Sequence, residues 1–222
     1  MRHFNAFIAL LTVLLVSGCA STRTAMDYSA FKQSNPKSIL VLPPINHSTE
    51  VIAPYAVLAT VTVPLAEAGY YVFPVALVDE TFKNNGLTVA EDIHAVSPKK
   101  LHDIFAADAV MYLEVEQYGT SYAILSSDTV VVVKAKLVDS RTQTALWQGR
   151  ASAASSEQNG GNSGGIVGML VEAAVTQIME TVMDTGFDIA GIASARLLSA
   201  GTPNGLLYGP RSPKHGKEQT GQ

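Results

Sequence analysis

The sequence predicts an α/β protein, a mixed β-sheet of about five strands with helices packed on it. Three observations carry this expectation. Short runs of branched and aromatic residues alternate with period two, as in Ala109, Met111, Leu113 and Val115 against Glu114 and Glu116. Between them lie stretches with apolar residues at helical spacing, opened by serine or proline and closed by glycine. At 47% hydrophobic and 15% charged residues, the 222-residue chain can bury a real core, and its length suits one domain with trimmings.

The chain opens on Arg2 and His3, then an apolar run (AFIALLTVLLV, residues 6–16), then Val16-Ser17-Gly18-Cys19. Basic, apolar and small residues in that order make a secretory signal. Its apolar part falls well short of the roughly 20 residues a membrane-spanning helix needs. A cysteine directly after the small residues is the pattern of the bacterial lipobox, in which the thiol receives diacylglycerol before cleavage and the new amino terminus is then acylated. Residues 1–18 are thus expected to be removed, with Cys19 as the lipidation site. Three acyl chains exceed the two signals that stable anchoring takes, at about 0.8 kcal/mol per buried methylene. Ala20 follows Cys19, where an aspartate would resemble an inner-membrane retention signal. That favours the outer membrane, facing the periplasm. Cys19 is also the only cysteine, so no disulfide is expected. Loss of Arg2 with the signal shifts the formal net charge from -4 to about -5, which argues against nucleic acid as a partner.

Residues 19–36 read as a lipidated tether, of which 20–36 could reach about 50–60 Å when extended. The α/β domain is expected over 37–200. It begins with a buried strand over 37–43 (KSILVLP), stopped by a double proline. A helix over 54–68 starts at Pro54 and ends before Gly69; a second strand covers 70–75. Short helices are expected over 79–85 and 97–105, the latter capped by Ser97 with Pro98 at its first position. Strands over 109–118, 129–139 and 144–155 follow, the last two as a hairpin around Ser140-Arg141-Thr142. One register sets Leu137 opposite Ala145 and Ala135 opposite Trp147, placing the only tryptophan over small residues. Residues 119–127 read either as a turn or as a short extra strand. A flexible loop over 157–165 precedes a long helix over 166–183 with a core stripe of Val167, Val171, Val175, Ile178 and Val182. A further helical piece covers 187–198, and Gly, Pro and polar residues suggest a disordered tail over 201–222.

Candidate chemistry is sparse. Gly161-Asn162-Ser163-Gly164-Gly165 is a literal G-x-S-x-G, and Ser163, Asp184 or Asp188, and His215 follow the hydrolase order. Against a serine hydrolase, Ser163 sits in a glycine-rich stretch beyond the strand, and His215 lies in a tail with nothing to hold an imidazole near a hydroxyl. His3, His47, His94, His102 and His215 show no metal-binding spacing, and no nucleotide loop occurs, so no metal or cofactor is expected. His94 and His102 read as solvated helix-end residues. Glu114 and Glu116 share a strand face, which alternation on a half-exposed strand explains ahead of the lesser alternative, a catalytic carboxylate pair. Met169, Met179 and Met183 fall opposite the valine stripe, beside Glu172 and Thr176. They are either covered by another element of this chain, such as 187–198, or they form a partner interface, since methionine adapts to partner surfaces.

The segments KSILVLPPINHS, PYAVLATVTVPLAEAGYYVFP, FAADAVMYLEVEQYGTSY and LVDSRTQTALWQG, in this order behind a lipobox, resemble a family of Gram-negative outer-membrane lipoproteins without established activity. The resemblance covers residues 1–200. More distantly, the strand ending in a double proline, the ADAV strand and the hairpin ending in LWQG are similar to the N-terminal domain of TolB and the periplasmic part of CsgG, the curli secretion lipoprotein. That likeness implies a TolB N-terminal-like α/β fold and a role in envelope-spanning transport or secretion assemblies. CsgG-like pores insert long membrane hairpins, and no such extra pair is evident here. The implied role is an accessory to a pore or transporter, and only Cys19 carries over as a functional residue.

The expectation is a non-enzymatic lipoprotein whose function is protein contact. Its partners would be the membrane through its lipid, envelope proteins such as a CsgG-like pore or a transporter, and further copies of itself. The alternative is a periplasmic module gripping a small ligand with its sheet and the loop over 157–165. Serine hydrolysis at Ser163 is a remote third.

Overall fold

The computed structural model describes residues 26–123, 126–159 and 185–217. Among these, six strands form one sheet. They are β1 (Ser38–Val41), β2 (Ile45–Asn46), β3 (Tyr71–Val72), β4 (Ala109–Ala123), β5 (Ser126–Asp139) and β6 (Ala145–Ala154). The order is β3-β1-β4-β5-β6, with β2 also on β4. β1 lies parallel to β3 and β4, whereas β4, β5 and β6 are antiparallel, so the sheet is mixed.

β2 extends β1 past Pro43 and Pro44. Proline has no N–H for a ladder, so pairing pauses at Leu42, whose N–H donates to the Met111 carbonyl. It resumes with Ile45 opposite Glu114.

The helices are α1 (Ser29–Ser34), α2 (Ala53–Thr60), α3 (Thr62–Glu67), α4 (Val75–Asn84), α5 (Ala90–His94), α6 (Pro98–Phe105), α7 (Ser156–Asn159) and α8 (Thr185–Leu198). Strand alternation sends Ile39, Val41, Met111, Leu113, Val133 and Leu137 into a core with α2, α3 and α8. Leu40, Leu42 and Val110 point the other way, into a smaller core with Val78, Phe82, Ile93 and Leu101 of α4, α5 and α6. This second layer takes no residue from β5 or β6. Among the described residues, no helix of this layer covers their outer face.

Several boundaries differ from expectation for local reasons. The helix expected over 54–68 is split at Val61, because Pro64 cannot donate to the Thr60 carbonyl. The Thr60 hydroxyl turns back to the carbonyls of Ala56 and Val57. β3 is shorter than 70–75, since Pro74 ends the pairing and α4 starts at Val75. α5 is additional. Ser97 caps α6 as expected, accepting from the Lys100 N–H at 3.3 Å. β4 and β5 continue through the stretch read as a turn or extra strand, pairing as far as Ala123 with Ser126. A bulge at Glu116 lets Val115 and Tyr118 both reach the main core.

The β5–β6 register is offset from the one expected. Leu137 faces Trp147, and Ala135 faces Gly149. The connection sets this. Asp139 accepts from the N–H groups of Arg141 and Thr142, Gln143 takes φ of 62°, and a bulge falls between Leu137 and Val138. Gly149 leaves room for the indole, since a Cβ there would lie 2.5 Å from Trp147 Cζ2.

Two segments expected outside the fold belong to it. Residues 26–36 are not tether: α1 sends Phe31 into the core, and the Ser34 hydroxyl donates to Asp139 at 2.5 Å. Residues 201–217 are not disordered tail. Leu206 and Leu207 are buried, the Gly209 N–H donates to the Ala68 carbonyl at 2.8 Å, and the Tyr70 hydroxyl donates to the Leu207 carbonyl at 2.6 Å. Trp147 Nε1 donates to the Asn204 carbonyl at 3.0 Å, and Asn204 Oδ1 accepts from the Met26 N–H at 3.0 Å. Two leucines and well-partnered backbone groups order a segment that composition alone reads as loose. Of the loop expected over 157–165, the start lies in α7; residues 160–165 and the helix expected over 166–183 lie outside the described residues.

Candidate functional site

The open outer face of β4, β5 and β6 is a groove of about 770 Å³. Register sets its polar side chains in rows across the strands. Glu114 stands opposite Lys134 and Lys134 opposite Arg150; Tyr112 stands opposite Lys136 and Lys136 opposite Gln148. His94 and Pro98 form one wall. Glu116 accepts from Lys134 and, at 2.6 Å, from Arg150 Nε. These bonds, Lys134 first and then Arg150, hold its carboxyl below the usual carboxylate range. Glu114 lies 3.3 Å from His47 Nε2. The two glutamates are thus separately partnered across a bulge. They are not an acid–base pair. Among the described residues the groove is lined by both acidic and basic side chains, Glu114 alongside Lys134, Lys136 and Arg150.

The histidines expected as solvated helix ends are instead tied to the fold. His94 Nε2 lies 2.9 Å from the Pro43 carbonyl, which the proline break frees from the ladder, and its ring meets Tyr112 edge-on at 5.2 Å. Burial lowers its pKa, against the opposing effect of the Pro43 bond. His102 Nδ1 lies 2.8 Å from the Ala107 carbonyl and 3.1 Å from Ser140 Oγ. The Ser140 hydroxyl is fully buried and also lies 2.5 and 2.8 Å from the carbonyls of Ala107 and Asp108. Its proton goes to a backbone carbonyl, so this Ser–His contact is a structural knot at the base of β4.

His215 Nδ1 lies 2.7 Å from the Tyr208 carbonyl, so the ring is held after all. Asp188 sits in the first turn of α8. Cys19, Ser163, Met169, Met179, Met183 and Asp184 lie outside the described residues. Among the described residues no cluster of His, Cys, Asp or Glu is placed to hold a metal, and no helix is long and apolar enough to cross a membrane. Sequence reasoning missed Lys134, Lys136, Gln148 and Arg150. Their signal was present, since they alternate with Val133, Ala135, Trp147 and Gly149.

At one end of the sheet, apolar side chains face solvent. Val51, Ile52 and Tyr55 are 82%, 50% and 59% exposed around the start of α2. Phe187, at the start of α8, is exposed at the same end: a Cβ on Gly119 would lie 3.2 Å from Glu50, and one on Gly186 would lie 2.7 Å from the Tyr118 hydroxyl.

Comparison with known proteins finds relatives named as lipoproteins. Residues 26–211 match the family model "Putative lipoprotein GNA1162-like". "Putative lipoprotein NMB1124/NMB1162" of Neisseria meningitidis serogroup B is 50% identical over 205 residues, spanning 92% of this chain and 94% of that protein. The crystal structure of lipoprotein GNA1162 from Neisseria meningitidis is 56% identical with a TM-score of 0.53, over 66% of this chain and 100% of that one. A PelC dodecamer from Paraburkholderia phytofirmans is 12% identical with a TM-score of 0.42, over 73% of this chain and 86% of that one, too remote to say anything of function. The chain belongs to the GNA1162-like lipoprotein family.

Proposed function

We propose that the chain is a non-enzymatic lipoprotein, anchored through Cys19 in the outer membrane and facing the periplasm, that serves an envelope-spanning transport or secretion assembly by protein contact. Cys19 behind a short apolar run, in a chain whose relatives are named lipoproteins, carries this reading. Support for contact comes from the exposed Val51, Ile52, Tyr55 and Phe187 at one end, and from the sequence stripe of Met169, Met179 and Met183. The sequence segments that resemble TolB and CsgG suggest a transporter or a CsgG-like pore as the partner. In a Gram-negative host, Cys19→Ala should lose acyl label and leave the outer-membrane fraction. Wild-type protein recovered as a soluble periplasmic species with a free amino terminus would sink the anchor. Pull-down of the lipidated protein from membranes should bring envelope proteins with it, and their absence would remove the assembly role.

A second reading, a small-ligand-binding module, is favoured by the groove over β4, β5 and β6 with its rows of Glu114, Lys134 and Arg150. A bound metabolite that Lys134→Glu displaces would support it.

A further inference from the structure

We infer that the end of the sheet bearing Met26 is a membrane-facing surface that rests on anionic phospholipid headgroups. This rests on the anchoring at Cys19 proposed above. Only residues 20–25 separate Cys19 from Met26, whose N–H is bound by Asn204. Seven residue steps reach at most about 25 Å when extended. The lipid therefore holds the Met26 end of the fold close to the leaflet, while the β4–β5 hairpin, which reaches Ala123 and Ser126 at the far end of the sheet, points away.

The side chains at the near end suit headgroup phosphates. Lys32, Lys37, Arg211, Lys214 and Lys217 are all exposed there. The Tyr71 N–H donates to the Lys37 carbonyl and the Arg211 N–H to the Gly69 carbonyl, which brings the start of β1, the start of β3 and the C-terminal segment together. Two of the cations ride on tyrosines: Arg211 lies 5.4 Å from the Tyr71 ring and Lys214 lies 5.5 Å from the Tyr208 ring. Tyrosine is a side chain that membrane interfaces favour, with an apolar ring and a polar tip. The opposing exposed acids are Asp27, bound by Ser29, with Glu67 and Asp103; Arg141 lies within ion-pair reach of Asp108 and Asp139. On a chain of net negative charge, an end where exposed bases outnumber exposed acids among the described residues stands out.

The test uses the chain from Ala20 onward, which carries every described residue and no acyl group, so its outcome is independent of Cys19. It should sediment with vesicles of phosphatidylcholine plus phosphatidylglycerol, release as salt rises, and ignore vesicles of phosphatidylcholine alone. Each basic residue near an anionic surface is worth about fivefold in binding. The triple variant Lys37→Glu, Arg211→Glu, Lys214→Glu should therefore bind at least about a hundredfold more weakly, with unchanged Trp147 fluorescence as the check on folding. Lys99→Glu with Lys100→Glu, exposed at the start of α6, should bind as the parent does. Equal binding to both vesicle types, no binding to either, equal loss in both variants, or displacement by millimolar inorganic phosphate would overturn the proposal.

Discussion

Asp139 shows how one side chain closes a fold. It is almost wholly buried and gathers the Ser34 hydroxyl and the N–H groups of Arg141 and Thr142. Burial alone would raise its pKa, but these bonds outweigh it and hold the carboxyl below its ordinary value. Asp139→Ala strands those donors and should cost about 2–3 kcal/mol, read as an earlier urea midpoint. A loss within experimental error would mean that α1 is not tied to the hairpin through this carboxylate. His94 makes a pH argument. Its folded pKa lies below the unfolded value of about 6.5, so the unfolded chain takes up the proton more readily. Stability from the neutral ring is complete above about pH 6.5 and falls as pH drops toward the folded pKa. His94→Gln should flatten that acid-side slope in urea titrations, and a slope unchanged by the variant would assign it to other groups.

Among the elements, the C-terminal segment carries the clearest prediction. A chain ending at Ala200 loses buried Leu206 and Leu207 and the acceptors of Trp147, Tyr70 and Tyr28. Each leucine contributes about 1.5–3 kcal/mol by burial, so the truncated chain should melt far lower, with red-shifted tryptophan emission. An unchanged melting temperature would show the segment to be ornament. Strand types and the order of the central elements were legible in the sequence, because alternation in 109–115 and capping at Ser97 are local signals. The order of 201–217 was not, since it depends on partners such as Ala68 and Trp147 far away in sequence. The hairpin register failed for a related reason. Bulges and the Gln143 conformation shift pairing without leaving a mark in the hydrophobic pattern. The break at Val61 could have been read, because Pro64 announces it. The open groove also lay in plain view as lysines at period two. What hid it was topology, since only the placement of α4, α5 and α6 over β1 decides which strand faces stay uncovered.

For the molecule as a whole, the described residues cover the sheet on both faces at β1 and on one face at β5 and β6, which leaves one broad surface and one apolar end among them for contact. The methionine stripe outside the described residues tests whether contact also runs through residues 166–183. Met169→Glu should leave the domain folded and abolish self-association or partner capture, since charge is depleted from interface cores. A sharp drop in melting temperature would instead put Met169 in the protein's own core, and unchanged association would make it idle surface. The bond between the Met26 N–H and Asn204 has a consequence in time. It joins positions 178 residues apart, so the segment that opens at Met26 has no seat until nearly the whole chain exists. Distant pairings of this kind slow folding. On the proposed reading of Cys19, a polypeptide threaded through the export channel amino end first meets its acyl donor while the rest is still a strand of unstructured chain. The protein is then moored before it is built, and the leaflet is the bench on which its core is assembled.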